Sequence, residues 1–164
     1  MSNIVSTSSD PPRAQPARAV PWERLAVFYV RIALGSAFLS AVADRFGLWG
    51  KYGGWGNFAN FTRYTAQVNS FLPAFTIPFL AWAATVAETA FGILLIAGLW
   101  LRWVSFGSAI LLATFGATMA ISLGLKKPLD YSVFSASGAA LLLALHALRR
   151  DRSPAIAEFT REAK

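Results

Sequence analysis

Polar residues are sparse along the chain and gather in clusters, leaving four apolar runs between them. Leu25 to Ala43 is interrupted only by Arg31, Ser36 and Ser40, and Ile77 to Leu101 only by Thr85, Glu88 and Thr89. Trp103 to Leu125 carries no charge, and Tyr131 to Leu148 is closed by Arg149 and Arg150. A helical residue rises about 1.5 Å and the hydrocarbon layer is about 30 Å thick, so about 20 apolar residues cross it. All four runs are long enough, they lack the polar face of a soluble amphipathic helix, and the last three are joined by short connections. The pattern predicts an all-α integral membrane four-helix bundle, up-down-up-down.

The one long connection, Asp44 to Thr76, is full of aromatic residues, which favour the headgroup zone. Trp55, Phe58, Phe61, Thr65, Val68 and Leu72 recur near helical spacing, with Asn57, Asn60, Arg63 and Gln67 between them. That predicts a short amphipathic helix lying on the bilayer or capping the bundle. The alternative is an irregular loop pinned at Gly53-Gly54. Residues 1–23, rich in Ser, Pro and Arg at their start, read as a disordered cytoplasmic tail, 24–148 as the membrane domain, and 149–164 as a second cytoplasmic tail. Ala41-Val42-Ala43 has the small-x-small form of a signal-peptidase site, but Arg31 would interrupt the apolar segment before it, so the first run is expected to remain as a helix.

Composition agrees with burial in lipid. Of 164 residues only 14% are charged and 55% hydrophobic, against about 25% charged in a typical soluble domain. The net charge of +7 comes from 15 Lys and Arg against 8 Asp and Glu, scattered at helix ends rather than gathered into a nucleic-acid footprint. Arg13, Arg18, Arg24, Arg102, Arg149, Arg150, Arg152, Arg161 and Lys164 fall on one side, and Arg45, Lys51, Arg63, Lys126 and Lys127 on the other. The richer side is expected to be cytoplasmic, with both termini on it. There is no cysteine and one histidine, His146. That excludes a disulfide, a thiolate-held cluster and bis-imidazole haem within the chain, and no built-in cofactor or metal site is expected.

Ionisable residues inside a bilayer face the protein interior and have partners. Arg31 and Glu88 are the two, and no catalytic residue is assigned. Counted from the run ends, Arg31 lies ~9 Å and Glu88 ~20 Å from the inner surface. The gap of ~11 Å is within reach of two extended side chains, directly or through Thr85. The expected pair is either a structural ion pair that fixes helix register or the lining of a polar pocket for a quinone-like ligand or a proton relay, with Phe38 and Trp82 as candidate walls. Gly35 and Gly92, one turn beyond each charge, mark faces where helices approach closely. Asp44, Arg45, Lys126, Lys127 and Asp130 form a candidate polar cluster at the outer rim, with Asp130 a candidate N-cap of the last helix. His146 reads as an interfacial residue near Arg149.

Arg31-x-Ala33-Leu34-Gly35-x-x-Phe38, Glu88-x-x-x-Gly92 and Gly98-x-x-x-Arg102 resemble the DoxX family of small bacterial four-helix membrane proteins, over roughly Arg24 to Leu148. Val42 and Arg45 stand where members typically carry a glycine and a lysine. Asp44-Arg45-Phe46-Gly47-x-Trp49-Gly50 and Pro128-Leu129-Asp130-Tyr131-Ser132-Val133-Phe134-Ser135-Ala136-Ser137 look like a subgroup of it. The resemblance implies a multi-pass protein of the bacterial inner membrane. Relatives include a subunit of archaeal thiosulfate:quinone oxidoreductase and a component of mycobacterial oxidative-stress complexes. It therefore implies a membrane subunit of a redox assembly that handles quinone, with redox-enzyme subunits as partners. The alternatives are a scaffold or chaperone-like partner without small-molecule chemistry, and a small transporter. A cavity reaching Glu88 is what separates them.

Overall fold

The computed structural model describes the backbone of residues 21–162 and the side chains of residues 22–150. The tail expected over residues 1–23 therefore lies mostly outside the described residues, and its last three residues are already helical. Six helices are described, with no strand: α1 (Pro21–Arg45), α2 (Phe58–Val68), α3 (Ile77–Ala97), α4 (Leu101–Leu123), α5 (Lys126–Asp130) and α6 (Val133–Glu162). The all-helical expectation holds, but four long helices and one short helix in the first connection undercount the described residues by α5. Proline opens α1, where its missing N–H costs nothing. α3 stops at Ala97, four residues before its apolar run ends, because Gly98 turns left-handed (φ 73°) and its N–H closes onto Leu94 and Leu95 carbonyls. Three residues later α4 begins.

The long helices form two antiparallel hairpins. In the first, α1 lies on α3. A Cβ on Gly35 would sit 2.6 Å from Ile96 Cγ1 and 2.9 Å from the Gly92 carbonyl, so the glycine pair sets the helix spacing. In the second, α4 lies on α6, with the Phe134 ring over Gly116 and the Ser137 hydroxyl donating to the Ala109 carbonyl at 2.8 Å. Leu34, Phe38, Leu95, Val104, Ala109, Ala140 and Leu143 fill the core where the hairpins meet.

The surface inverts the arrangement of a soluble protein. Phe79, Val86 and Ile93 on α3, Ile110 and Ile121 on α4 and Leu142 on α6 all point outward. Large apolar side chains cover the outside while Glu88 and Arg45 are inside, the pattern lipid selects. Trp22–Arg45, Ala74–Ala97 and Leu101–Leu123 are each long and apolar enough to cross a membrane.

The amphipathic helix read in the first connection is α2. Asn57 caps it, accepting from the Asn60 N–H at 2.9 Å, and its buried face is Phe61, Thr65 and Val68, as the spacing predicts. It packs across the ends of α3 and α4, held by the Ser122 hydroxyl donating to the Val68 carbonyl at 2.9 Å.

Candidate functional site

The charge buried against Glu88 belongs to Arg45. The last residue of α1 turns its side chain back into the bundle. Its Nη2 donates to Glu88 Oε1 at 2.5 Å and its Nη1 to Thr85 Oγ1 at 2.9 Å. The Thr85 hydroxyl donates to the Ala81 carbonyl at 2.7 Å, which leaves its oxygen lone pairs to accept from the arginine. Phe61 from α2 lies under the guanidinium, 3.8 Å from its carbon to the ring centroid, with Trp55 at 5.7 Å. Arg45 and Glu88 are each 2% exposed and Thr85 4%.

Each element supplies what its local sequence dictates. Ala81, Thr85 and Glu88 recur on one face of α3, and the small Ala81 leaves room for the arginine above. Gly47 and Gly56, both left-handed, let the chain fold back after α1. Asp44 fixes that fold: its carboxylate accepts from the N–H groups of Gly54 at 2.9 Å and Trp55 at 3.1 Å, with Gly56 at 3.4 Å. A wall of rings continues outward, Phe58 lying 4.4 Å from Trp82 and 5.9 Å from Phe46 between centroids. Neutralised charge, a sealed pocket and stacked rings make the site a clamp joining α1, α2 and α3. One donor, the Arg45 Nε–H, is buried there without a partner.

The expected pairing of Arg31 with Glu88 is not what the structure shows. Arg31 Nε and Nη2 each donate at 2.9 Å, to the carbonyls of Leu95 and Ile96, and the guanidinium lies against Gly98. A cation on the last carbonyls of a helix adds to their hydrogen bonding, here as a second donor to Leu95 beside the Gly98 N–H, and complements the helix dipole. Arg31 is level with the end of α3 at Ala97, and Glu88 lies about 13 Å inside it, close to the separation expected; each side chain has a nearer partner, the α3 carbonyls for Arg31 and Arg45 for Glu88. Thr85 does join Glu88, but with Arg45.

The outer-rim cluster likewise divides. Asp44 is spent on the loop, Arg45 on Glu88, and Lys126 pairs with Asp130 one turn along α5 at 2.6 Å, both exposed. Asp130 is thus the last residue of α5 rather than the cap of the following helix, which begins at Val133. His146 Nδ1 lies 3.1 Å from Glu23 Oε1, tying α6 to α1 at the opposite end. Phe38 is core, and Trp82 is half exposed beside Phe46 and Phe58. The sequence carries one signal for Arg45, a cation two residues past an apolar run and ahead of an aromatic loop able to cover it, but not the inward turn of its side chain.

Two grooves open on the surface. One, of about 390 Å³, is lined by Phe91, Trp100, Trp103 and Val104 at the α3–α4 turn. The other, of about 400 Å³, is lined by Ala37, Ser40, Ala41, Asp44, Trp49, Tyr52 and Gly53. Neither reaches Glu88. Among the described residues no cluster of His, Asp and Glu could hold a metal ion.

Comparison with known proteins returned one relationship. The family model DoxX matches residues 26–123, from the first turns of α1 to the end of α4, and so includes Arg31, Arg45, Thr85 and Glu88. α6 lies beyond it. Searches of curated proteins and of solved structures returned no match. The match covers more than half the chain and agrees with the apolar exterior: this multi-pass membrane protein belongs to the DoxX family.

Proposed function

We propose that the chain is a non-catalytic membrane subunit, a helical scaffold in the cytoplasmic membrane for a redox assembly whose quinone chemistry is carried by a partner. The observation that supports the scaffold is the sealed Arg45–Glu88 pair. A carboxylate that exchanges protons with a ligand needs a path to it, and this one is 2% exposed, neutralised by an arginine and covered by Phe61. The redox setting rests on the family resemblance. A chain without cysteine, whose single histidine already faces Glu23, leaves electron-carrying centres to other subunits.

In this reading four helices span, α6 crossing as the fourth through Val133 to Leu148, and both termini are cytoplasmic. Reporter fusions after Trp55 and after Lys164 are expected to report opposite sides, and the same side for both would overturn the topology.

A second reading, direct quinone binding, is favoured by the groove at Ser40, Trp49 and Tyr52, where two rings and two hydroxyls stand over the small residues of α1. Tryptophan quenching by a short-chain quinone analogue decides between them. The scaffold reading expects no saturable binding. Saturable binding lost in Tyr52→Phe and Trp49→Leu would replace it with the ligand reading.

A further inference from the structure

The end of the bundle opposite α2 is strongly basic. Arg24, Arg31, Arg102, Arg149 and Arg150 are placed there, and Glu23 is the one acidic residue at this end among the described side chains. Glu23 faces His146, and Arg31 is committed to the carbonyls of α3. Arg102 is different. Its guanidinium lies on the Trp103 ring, 4.5 Å to the centroid, and no carboxylate among the described residues is within ion-pair distance of it.

Beside it is the groove lined by Phe91, Trp100, Trp103 and Val104. The turn that builds the groove is fixed by its surroundings. Gly98 is left-handed at φ 73°, a conformation that favours glycine, with the Arg31 guanidinium packed against it, and the chain then reverses through Trp100, held left-handed at φ 44° and ψ 40°. That conformation, rare for a residue with a side chain, leaves the Trp100 indole 75% exposed next to Trp103 at 65%. Two exposed indoles at the end of a membrane-spanning pair mark the headgroup level, where rings are buried in acyl chains and their N–H groups stay wet.

The groove thus offers an apolar wall below and an unpaired guanidinium above. We propose that it holds an acyl chain of an anionic phospholipid whose phosphate is bound by Arg102. The guanidinium fork matches two phosphate oxygens, and stacking on Trp103 orients it without consuming its donors. The basic surroundings select the lipid's net charge. A zwitterionic lipid brings its own cation toward these arginines, whereas an anionic headgroup brings none. The inference goes beyond the scaffold reading and needs only that the chain is a membrane protein.

Native mass spectrometry of the full chain, released from detergent and titrated with phosphatidylglycerol or phosphatidylcholine, tests it. The wild type is expected to retain phosphatidylglycerol on the order of tenfold more tightly than phosphatidylcholine. Arg102→Gln removes that preference, Trp100→Ala weakens both lipids, and Lys51→Gln at the far end changes neither. Helical circular dichroism and the thermal midpoint check that the variants are folded. Should Arg102→Gln fail that check, Arg102→Lys, which keeps the charge and loses the fork, is expected to lie between wild type and no preference. Equal retention of the two lipids, or a preference unchanged in the folded Arg102 variant, would overturn the proposal. So would displacement of phosphatidylglycerol by inorganic phosphate alone, which assigns the site to a free anion, or by a short-chain quinone analogue without regard to Arg102, which assigns the groove to a ring.

Discussion

Removing Glu88 tests whether the buried clamp is structural. In Glu88→Ala, Arg45 keeps its bond to Thr85 and its seat on Phe61 but loses the neutralising charge, within a pocket 2% exposed. Breaking a buried pair from one side costs about 3–5 kcal/mol, because an uncompensated charge remains. At about 1.4 kcal/mol per tenfold, the folded-to-unfolded ratio falls by roughly two to three and a half orders of magnitude. The double variant Arg45→Met with Glu88→Leu removes both charges and leaves apolar volume. It forfeits the cation–π contact, about 0.5–2 kcal/mol, but recovers the desolvation both ions incurred. Its stability is expected within about 2 kcal/mol of wild type, so in the cycle closed by Arg45→Met and Glu88→Leu alone, each costing about 3–5 kcal/mol, the coupling energy is at least about 4 kcal/mol. Reversible unfolding in bicelles, read by steric trapping, measures all four proteins under one condition. A single variant within about 1 kcal/mol of wild type, or a coupling near zero, would refute the reasoning.

Three further outcomes follow from neighbouring features. Gly35→Ala puts a methyl 2.9 Å from the Gly92 backbone carbonyl, whereas Gly92→Ala meets chiefly the flexible Leu39 side chain at 2.8 Å. The first is expected to be the more damaging, by about 1–3 kcal/mol of overpacking, in the same unfolding assay. Asp44→Ala strands the Gly54 and Trp55 N–H groups and is expected to speed hydrogen exchange at those amides, with Asp44→Asn restoring part of the protection. Burial first, then the neighbouring Tyr131 phenolate, raises the Tyr64 phenol above its ordinary pKa of 10.0, so the folded state favours the neutral ring. Its contribution is fully present below about pH 10 and lost as pH climbs through the raised value. Thermal midpoints should drop on crossing that pH, and less so in Tyr64→Phe.

The long helices and the buried face of α2 were legible because apolar run length and a 3.6-residue period are direct records of what each side chain faces. Phe61, Thr65 and Val68 fell where the spacing put them. What was not legible depended on side-chain direction and helix ends. Run lengths carry Ile77 on to Leu101, but Gly98 reverses the backbone inside that run, and the carbonyls at that helix end are what Arg31 takes in place of Glu88. Arg45 was placed at the rim because its Cα is there. Its long stem reaches inward, which position along the chain does not disclose. The small helix α5 carries no periodicity that five residues could reveal.

The hairpin order has a consequence for how the chain is made. Arg45 and Glu88 are 43 residues apart, so at roughly 5–20 residues per second a nascent α1 waits about 2–9 s for its counter-charge to be synthesised. An arginine at mid-span would spend that interval stranded in hydrocarbon. One at the last position of a helix can rest its guanidinium among headgroups and be drawn inward when α3 docks. Each hairpin is thereby completed by its own second helix, the first before the second has left the ribosome.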